Sequence, residues 1–203
     1  MRRDDFADED AALSAVFAAA LARGRGGTDV FGMRLQQHSF EFFNTQLARL
    51  YPGRDSDVAR LRAAFGDTVF IHLTRDDKLA QAISFIKASQ TGLWHRARDG
   101  SELERLSSPK PPVYDAGLIA AQIAEFEAAE VQWLRWFATE GITPLRLRYE
   151  DLAADPGGVL AQVLAALSLP AILADGVVPG VARLADATSR DWAARFRRDA
   201  GPR

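Results

Sequence analysis

The sequence predicts an α/β domain, a mainly parallel sheet flanked by helices, and three observations carry that prediction. Thr68 to Thr74 reads TVFIHLT, a nearly continuous apolar run of strand length, as expected for a parallel strand covered on both faces. Apolar runs of this kind alternate with segments of helical period, the order of a βαβ fold. A chain of 203 residues, 48% hydrophobic and 26% charged, suffices for a substantial core, and one domain over residues 1–203 is expected.

Each element follows from local chemistry. Residues 9 to 22 are rich in Ala and Leu and stop at Arg23-Gly24, as a helix ended by glycine does. Gly26-Gly27 make a turn, and Val30 to Leu35 form a short apolar run expected to be a strand. A helix follows from about Ser39 to Arg49 with Phe40, Phe43 and Leu47 on one face, and Pro52-Gly53 end it. The next helix is capped by Asp55 or Ser56, carries Val58, Leu61 and Phe65, and closes at Gly66. After the strand ending at Thr74, Asp76-Asp77 supply an N-cap and negative charge to a helix running to about Trp94, with Leu79, Ala82, Ile83 and Ile86 in its period.

Residues 96 to 114 hold three prolines and read as an irregular loop of the kind that forms lids. The longest helix, Gly117 to about Thr139, aligns Ile119, Ile123, Phe126, Trp133 and Phe137 in one stripe with Glu130, which is expected to be paired. Pro144 to Tyr149 give a third strand, Val159 to Leu167 a helix, and a last helix starts near Ser189.

Composition excludes several classes. With 25 Lys and Arg against 27 Asp and Glu, the net charge of -2 makes no uniform field for nucleic acid or acidic lipid, and neither is an expected partner. The absence of cysteine rules out disulfides and thiolate chemistry and fits a reducing cytoplasm, the expected location. Leu13 to Ala22 falls short of the roughly 20 apolar residues of a membrane span, and Asp4, Asp5, Asp8, Glu9 and Asp10 crowd the region a secretion signal keeps positive. His38, His72 and His95 share no ligand spacing, so no metal is expected, and His72 within an apolar strand reads as a satisfied core residue. The GRGG of residues 24–27 lacks the Lys and Ser or Thr of a phosphate loop.

In parallel α/β sheets ligands lie beyond the carboxyl ends of the strands, which directs attention to the residues after Leu35, Thr74 and Tyr149. Arg75 closes the TVFIHLT strand and Ser84 lies nine positions on, in the next helix. A planar guanidinium, a hydroxyl and a helix N-terminus suit a phosphate dianion; the same residues equally suit an ion pair of Arg75 with Asp76 or Asp77. RYEDL, residues 148 to 152, puts a tyrosine and two acids at a strand end, fit to orient a ligand or to cap the next helix. Arg183, Ser189 and Trp192 precede a basic helix with Arg195, Arg197 and Arg198, a segment that closes over an anion or is merely solvated.

Taken in this order, the segments resemble sulfotransferases that use 3′-phosphoadenosine 5′-phosphosulfate, specifically the trehalose sulfotransferase family. The resemblance runs from about Val30 to Arg198 through VFGMRL, RDDKLAQAISF, QTGLW, EVQWLRWF, RYEDL and the R-L-A-D-A-T-S-R-D-W of residues 183 to 192. It implies a P-loop-like sulfotransferase fold, that phosphosulfate as donor, and a carbohydrate such as trehalose as acceptor. By the same resemblance Arg75 and Ser84 hold the donor's 3′-phosphate, and Arg183 and Ser189 belong to a late loop beside the bound cofactor. The oligomeric state stays open, with a homodimer among the options.

One departure stands out. The family's first strand, its Arg-Ser-Gly-Ser-Thr-like loop around the 5′-phosphosulfate, and the glutamate that serves as general base have no counterpart in residues 1–29. The expected fold therefore lacks a central strand between residues 68–74 and 144–149; either the flanking strands pair directly or the chain is a fragment. His38, after the strand ending near Leu35, is the best local replacement for the base, and Arg34 is placed to face the sulfuryl group or to form a structural ion pair. Three readings follow: a sulfotransferase whose coding start lies further upstream; a catalytically inactive relative acting as a nucleotide-binding or interaction module; and a different nucleotide-handling α/β protein, which the lack of a Walker lysine opposes.

Overall fold

The computed structural model describes residues 7–199, which divide into two compact units, residues 7–70 with 132–143 and residues 71–131 with 144–199. Asp4 and Asp5 lie outside the described residues. Among those described, no helix is long and apolar enough to cross a membrane.

The first unit is helical. Helix α1 (Glu9–Arg25) starts where Asp8 accepts the Ala11 amide at 2.8 Å and ends at Gly26, whose left-handed φ of 55° costs a residue without Cβ little. Helix α2 (Gln37–Leu50) turns Phe40, Phe43 and Leu47 inward, and Leu47 is 1% exposed. Helix α3 (Asp57–Phe65) is capped by Ser56, one of the two residues its sequence offers, and also by Glu140, whose carboxylate accepts the Val58 amide at 2.8 Å. A carboxylate there meets the positive end of the helix dipole. The Asp57 side chain accepts from Asn44 Nδ2, Arg60 Nη1 and Trp136 Nε1 at 2.9, 2.9 and 3.0 Å, tying three segments together.

Val30 to Leu35 does not form the expected strand. It has no regular secondary structure and no described strand pairs with it; Val30 and Met33 are exposed, while Phe31 stacks on Phe65 with ring centroids 5.3 Å apart. Strand identity requires a neighbour to take up the main-chain bonds, which a run of apolar residues cannot supply by itself.

The second unit carries both sheets. Strand β1 (Ile71–Thr74) pairs in parallel with β4 (Leu145–Arg148), in register from Ile71 opposite Leu145 to Thr74 opposite Arg148. The two strands expected to flank a central one thus pair directly. The TVFIHLT run is shorter as a strand than predicted, and it is covered on one face only: His72 is 8% exposed, whereas Ile71 and Leu73 are 42% and 52% exposed. Alternate residues of a strand point to opposite faces, so the apolar Ile71 and Leu73 share the open side of β1 whatever their polarity.

Helix α4 (Lys78–Thr91) follows, capped by Asp77, which accepts the Ala80 amide at 2.8 Å. It ends three residues earlier than predicted, at Gly92 with φ of 72°. A Cβ on Gly92 would sit 2.7 Å from the Ser107 amide nitrogen and 2.9 Å from its carbonyl oxygen, so the close crossing there demands glycine. The first part of the segment read as an irregular loop is instead a hairpin, β2 (Leu93–Arg96) with β3 (Glu102–Arg105), closed through Gly100 and an Asp99 carboxylate that accepts the Ser101 amide, whereas residues 106–114, with the three prolines, are irregular as expected. Cross-strand pairs support it, His95 Nδ1 beside the Glu104 carboxylate at 2.5 Å and Arg96 opposite Glu102.

Helix α5 (Ala116–Thr139) contributes residues 116–131 to this unit and the rest to the first. Glu130 is paired, as expected, with Lys78 Nζ at 2.5 Å. Short α6 (Tyr149–Ala154) leads to α7 (Pro156–Ala166), where Asp155 caps and Pro156 takes the position that needs no donor. The last helix, α8 (Ala187–Asp199), packs Trp192 against Ala82, Ile83 and Ile86 of α4 and Ile119 of α5, the core of the unit.

Candidate functional site

Ser84, Lys87, Ala88 and Thr91 recur at intervals of three and four residues and so share one face of α4. That face forms a wall of a cavity of about 380 Å³ in the second unit. The hairpin adds Arg96 and Arg105, the following loop adds Lys110, and the segment before α8 adds Arg183, Asp186 and Thr188. Five cationic side chains and one carboxylate therefore line one concavity, in a chain whose overall charge is slightly negative. Such a wall attracts multiply charged anions, since it concentrates a field that the molecule as a whole does not have.

Three of the cations are held in place. Lys87, only 12% exposed, donates to Asp186 Oδ1 at 2.5 Å and to Ser189 Oγ at 2.8 Å. Burial disfavours the Asp186 charge, but the bonds from Lys87 and from the Ser189 amide outweigh it and hold the carboxyl below its usual range. Arg105 makes a bidentate pair with Glu102 and donates Nη1 to the Thr91 carbonyl at 2.6 Å, pinning the hairpin to the end of α4. Arg183 donates to the Ala153 carbonyl.

Ser84 and Arg183 thus line the same cavity, and Ser189 sits behind its wall through Lys87. Arg75 is not among the lining residues. It lies at the carboxyl end of β1, where its guanidinium carbon rests 4.3 Å from the centre of the Tyr149 ring, and its buried Nε has no hydrogen-bond partner among the described residues. The neighbouring amides of Asp76 and Asp77 point at the Glu150 carboxylate, each at 3.3 Å. Burial opposes the charge of Glu150, and these amides, its own amide and the Arg75 charge overcome it, keeping the carboxyl below its ordinary value. Arg148 pairs with Asp76. RYEDL accordingly braces the start of α4 through Arg148, Tyr149 and Glu150. His38 and Arg34 belong to the first unit and are exposed.

Lys87, Arg96, Arg105, Lys110 and Asp186 escaped the sequence reading. Lys87 was within reach, being one helical turn from Ser84 on the same face. Arg96 and Arg105 were not, because they reach the cavity only through a hairpin that the three prolines nearby disguise as a loop.

Comparison with known proteins points the same way. A family model described as Stf0 sulphotransferase matches residues 2–199. The trehalose 2-sulfotransferase of Mycobacterium tuberculosis (strain ATCC 35801 / TMC 107 / Erdman) is 34% identical over 182 residues, covering 87% of this chain and 64% of that protein. Its namesake from Mycolicibacterium smegmatis (strain ATCC 700084 / mc(2)155) is 33% identical over 180 residues, with the same coverage of each. The chain thus spans 64% of the length of these curated relatives.

Proposed function

Since the chain belongs to the Stf0 sulphotransferase family, we propose that it transfers a sulfuryl group from 3′-phosphoadenosine 5′-phosphosulfate to a hydroxyl of a carbohydrate such as trehalose. The observation that carries this reading is the five-cation cavity lined by Ser84 and Arg183. A 3′-phosphate dianion needs charged donors within a partly desolvated wall, and α4, the hairpin and the segment before α8 offer them together. Ser84 donates its hydroxyl and Arg183 and Ser189 belong to the segment beside the nucleotide; Arg75, proposed to share the 3′-phosphate, lies outside the cavity lining, with an Nε donor that no described residue uses.

In the reaction the acceptor oxygen attacks sulfur in line. The bond from sulfur to the 5′-phosphate oxygen breaks, and adenosine 3′,5′-bisphosphate departs with the electron pair. This chain's part is to hold the nucleotide so that the reacting atoms start close, which lowers the entropic share of the barrier. Cationic side chains also stabilise charge moving onto the leaving phosphate. The acceptor's proton passes to His38 on this reading, an exposed imidazole of the first unit whose ring nitrogen can accept it.

The test is calorimetric titration of the folded chain with adenosine 3′,5′-bisphosphate. Ser84→Ala and Arg183→Ala are each expected to weaken binding about tenfold, the loss of one charge-assisted or well-placed hydrogen bond. No binding by the unmodified folded chain would end the reading. Labelled donor offered with trehalose and other glycosides then identifies the acceptor.

A second reading, a relative that binds nucleotide without transferring sulfate, draws on Glu150. Its carboxylate occupies the Asp76 and Asp77 amides at the start of α4, a place where an anion would otherwise be received. Nucleotide binding with no transfer to any sugar would favour it.

A further inference from the structure

Lys87 is the most enclosed contact of the cavity wall for which an ion pair is formed across it, and its partner is far more open. The Lys87 side chain is 12% exposed and that of Asp186 is 55% exposed. An ammonium so far from water needs a counter-ion, and Asp186 serves. Asp186 is also the single acid among the lining residues. A phosphate dianion arriving near Ser84, one helical turn from Lys87, meets both an attractive ammonium and a repelling carboxylate. Two negative groups cannot share one enclosed cation without cost.

We propose that Asp186 is an internal competitor for the ligand: it neutralises Lys87 until a phosphate dianion arrives, then gives the ammonium up and turns outward into water. The inference rests on the reading that Ser84 meets the 3′-phosphate. Lys87 keeps Ser189 Oγ as a second anchor throughout, at 2.8 Å, so its ammonium stays in position when the carboxylate leaves. The same oxygen, Oδ1, accepts the Ser189 amide at 2.9 Å and the Ser189 hydroxyl at 3.0 Å, as an N-cap of α8 does, and the carboxylate gives these bonds up when it turns outward. Asparagine performs that capping equally well, so Asp186→Asn removes the charge and keeps the helix start.

The experiment titrates the whole chain and its variants with adenosine 3′,5′-bisphosphate and, separately, with adenosine 5′-monophosphate, which lacks the 3′ dianion. Asp186→Asn should tighten the bisphosphate about fivefold, the scale of removing one partly solvated like charge, and leave the monophosphate within about twofold. Lys87→Met should weaken the bisphosphate, and adding Asp186→Asn to it should change nothing further, since the competition has lost its object. A purely structural role for Asp186 would show the opposite sign, weaker binding with a lower melting temperature. Asp186→Ser, which also caps, repeats the measurement should the asparagine variant fold poorly. Unchanged or weaker bisphosphate binding by a capped, folded variant overturns the proposal while the unmodified chain still binds. Failure of the unmodified chain to bind overturns the functional reading and this inference with it.

Discussion

Replacing Gly92 by alanine tests how tightly the end of α4 is joined to the hairpin that carries Arg96 and Arg105 into the cavity. Two costs add. The first is conformational: at φ of 72° an L side chain crowds its own carbonyl, at about 1–2 kcal/mol. The second is steric, because the new methyl group would lie 2.7 and 2.9 Å from backbone atoms of Ser107. That backbone cannot easily retreat, since the adjoining Leu106 amide donates to the Gly92 carbonyl at 2.8 Å. Overpacking against a fixed neighbour costs about 1–3 kcal/mol.

The sum, about 2–5 kcal/mol, is a large share of a domain stability of about 5–15 kcal/mol. Gly100→Ala is the control. It has φ of 89° but nothing within 4 Å of the added carbon, so it should lose only the conformational part, about 1–2 kcal/mol. Urea unfolding followed by circular dichroism reads both variants, with the midpoint moving and the slope unchanged. Equal midpoints for the two variants would refute the reasoning, because the Ser107 contact would then contribute nothing.

Three further outcomes are expected. Burial holds the His72 pKa below 6.5, with Arg146 and Lys78 acting in the same direction and Glu130 against it. The unfolded chain therefore takes up the proton first; stability is full above about pH 6.5 and falls as pH drops through that value toward the lower folded pKa, and thermal melting at stepped pH should show a slope that His72→Gln removes. Asp57→Ala leaves the Trp136 and Asn44 donors without their acceptor and should cost about 2–4 kcal/mol in chemical denaturation, with Asp57→Asn costing less. On the proposed mechanism His38→Ala should slow sulfotransfer about 10²–10⁴-fold in a steady-state assay with bisphosphate binding intact, and an unchanged rate would remove His38 from the reaction.

What could be read from the residues alone was whatever depends on near neighbours in the chain. Ser56 and Gly66 bound α3 and Asp77 starts α4 because caps act within a turn. The stripe on α5, and the pairing need of Glu130, follow from period and burial in the same way. The motif order from Arg75 to Trp192 was enough to indicate the family.

Contacts between distant segments were decided only by the fold. Val30 to Leu35 and Ile71 to Thr74 are similar apolar runs, yet among the described residues only the second finds a partner strand, β4, and neither run encodes that difference. Residues 93–105 form a hairpin through cross-strand bonds and charges that a count of prolines conceals. The cavity joins α4 to the segment before α8 through Lys87 and Asp186, 99 positions apart. Helical period can place Ser84 and Lys87 on one face, but which carboxylate comes to rest on that face depends on the burial of Trp192 against Ile83. That packing arises from the summed removal of apolar surface from water, which has no address in the local sequence.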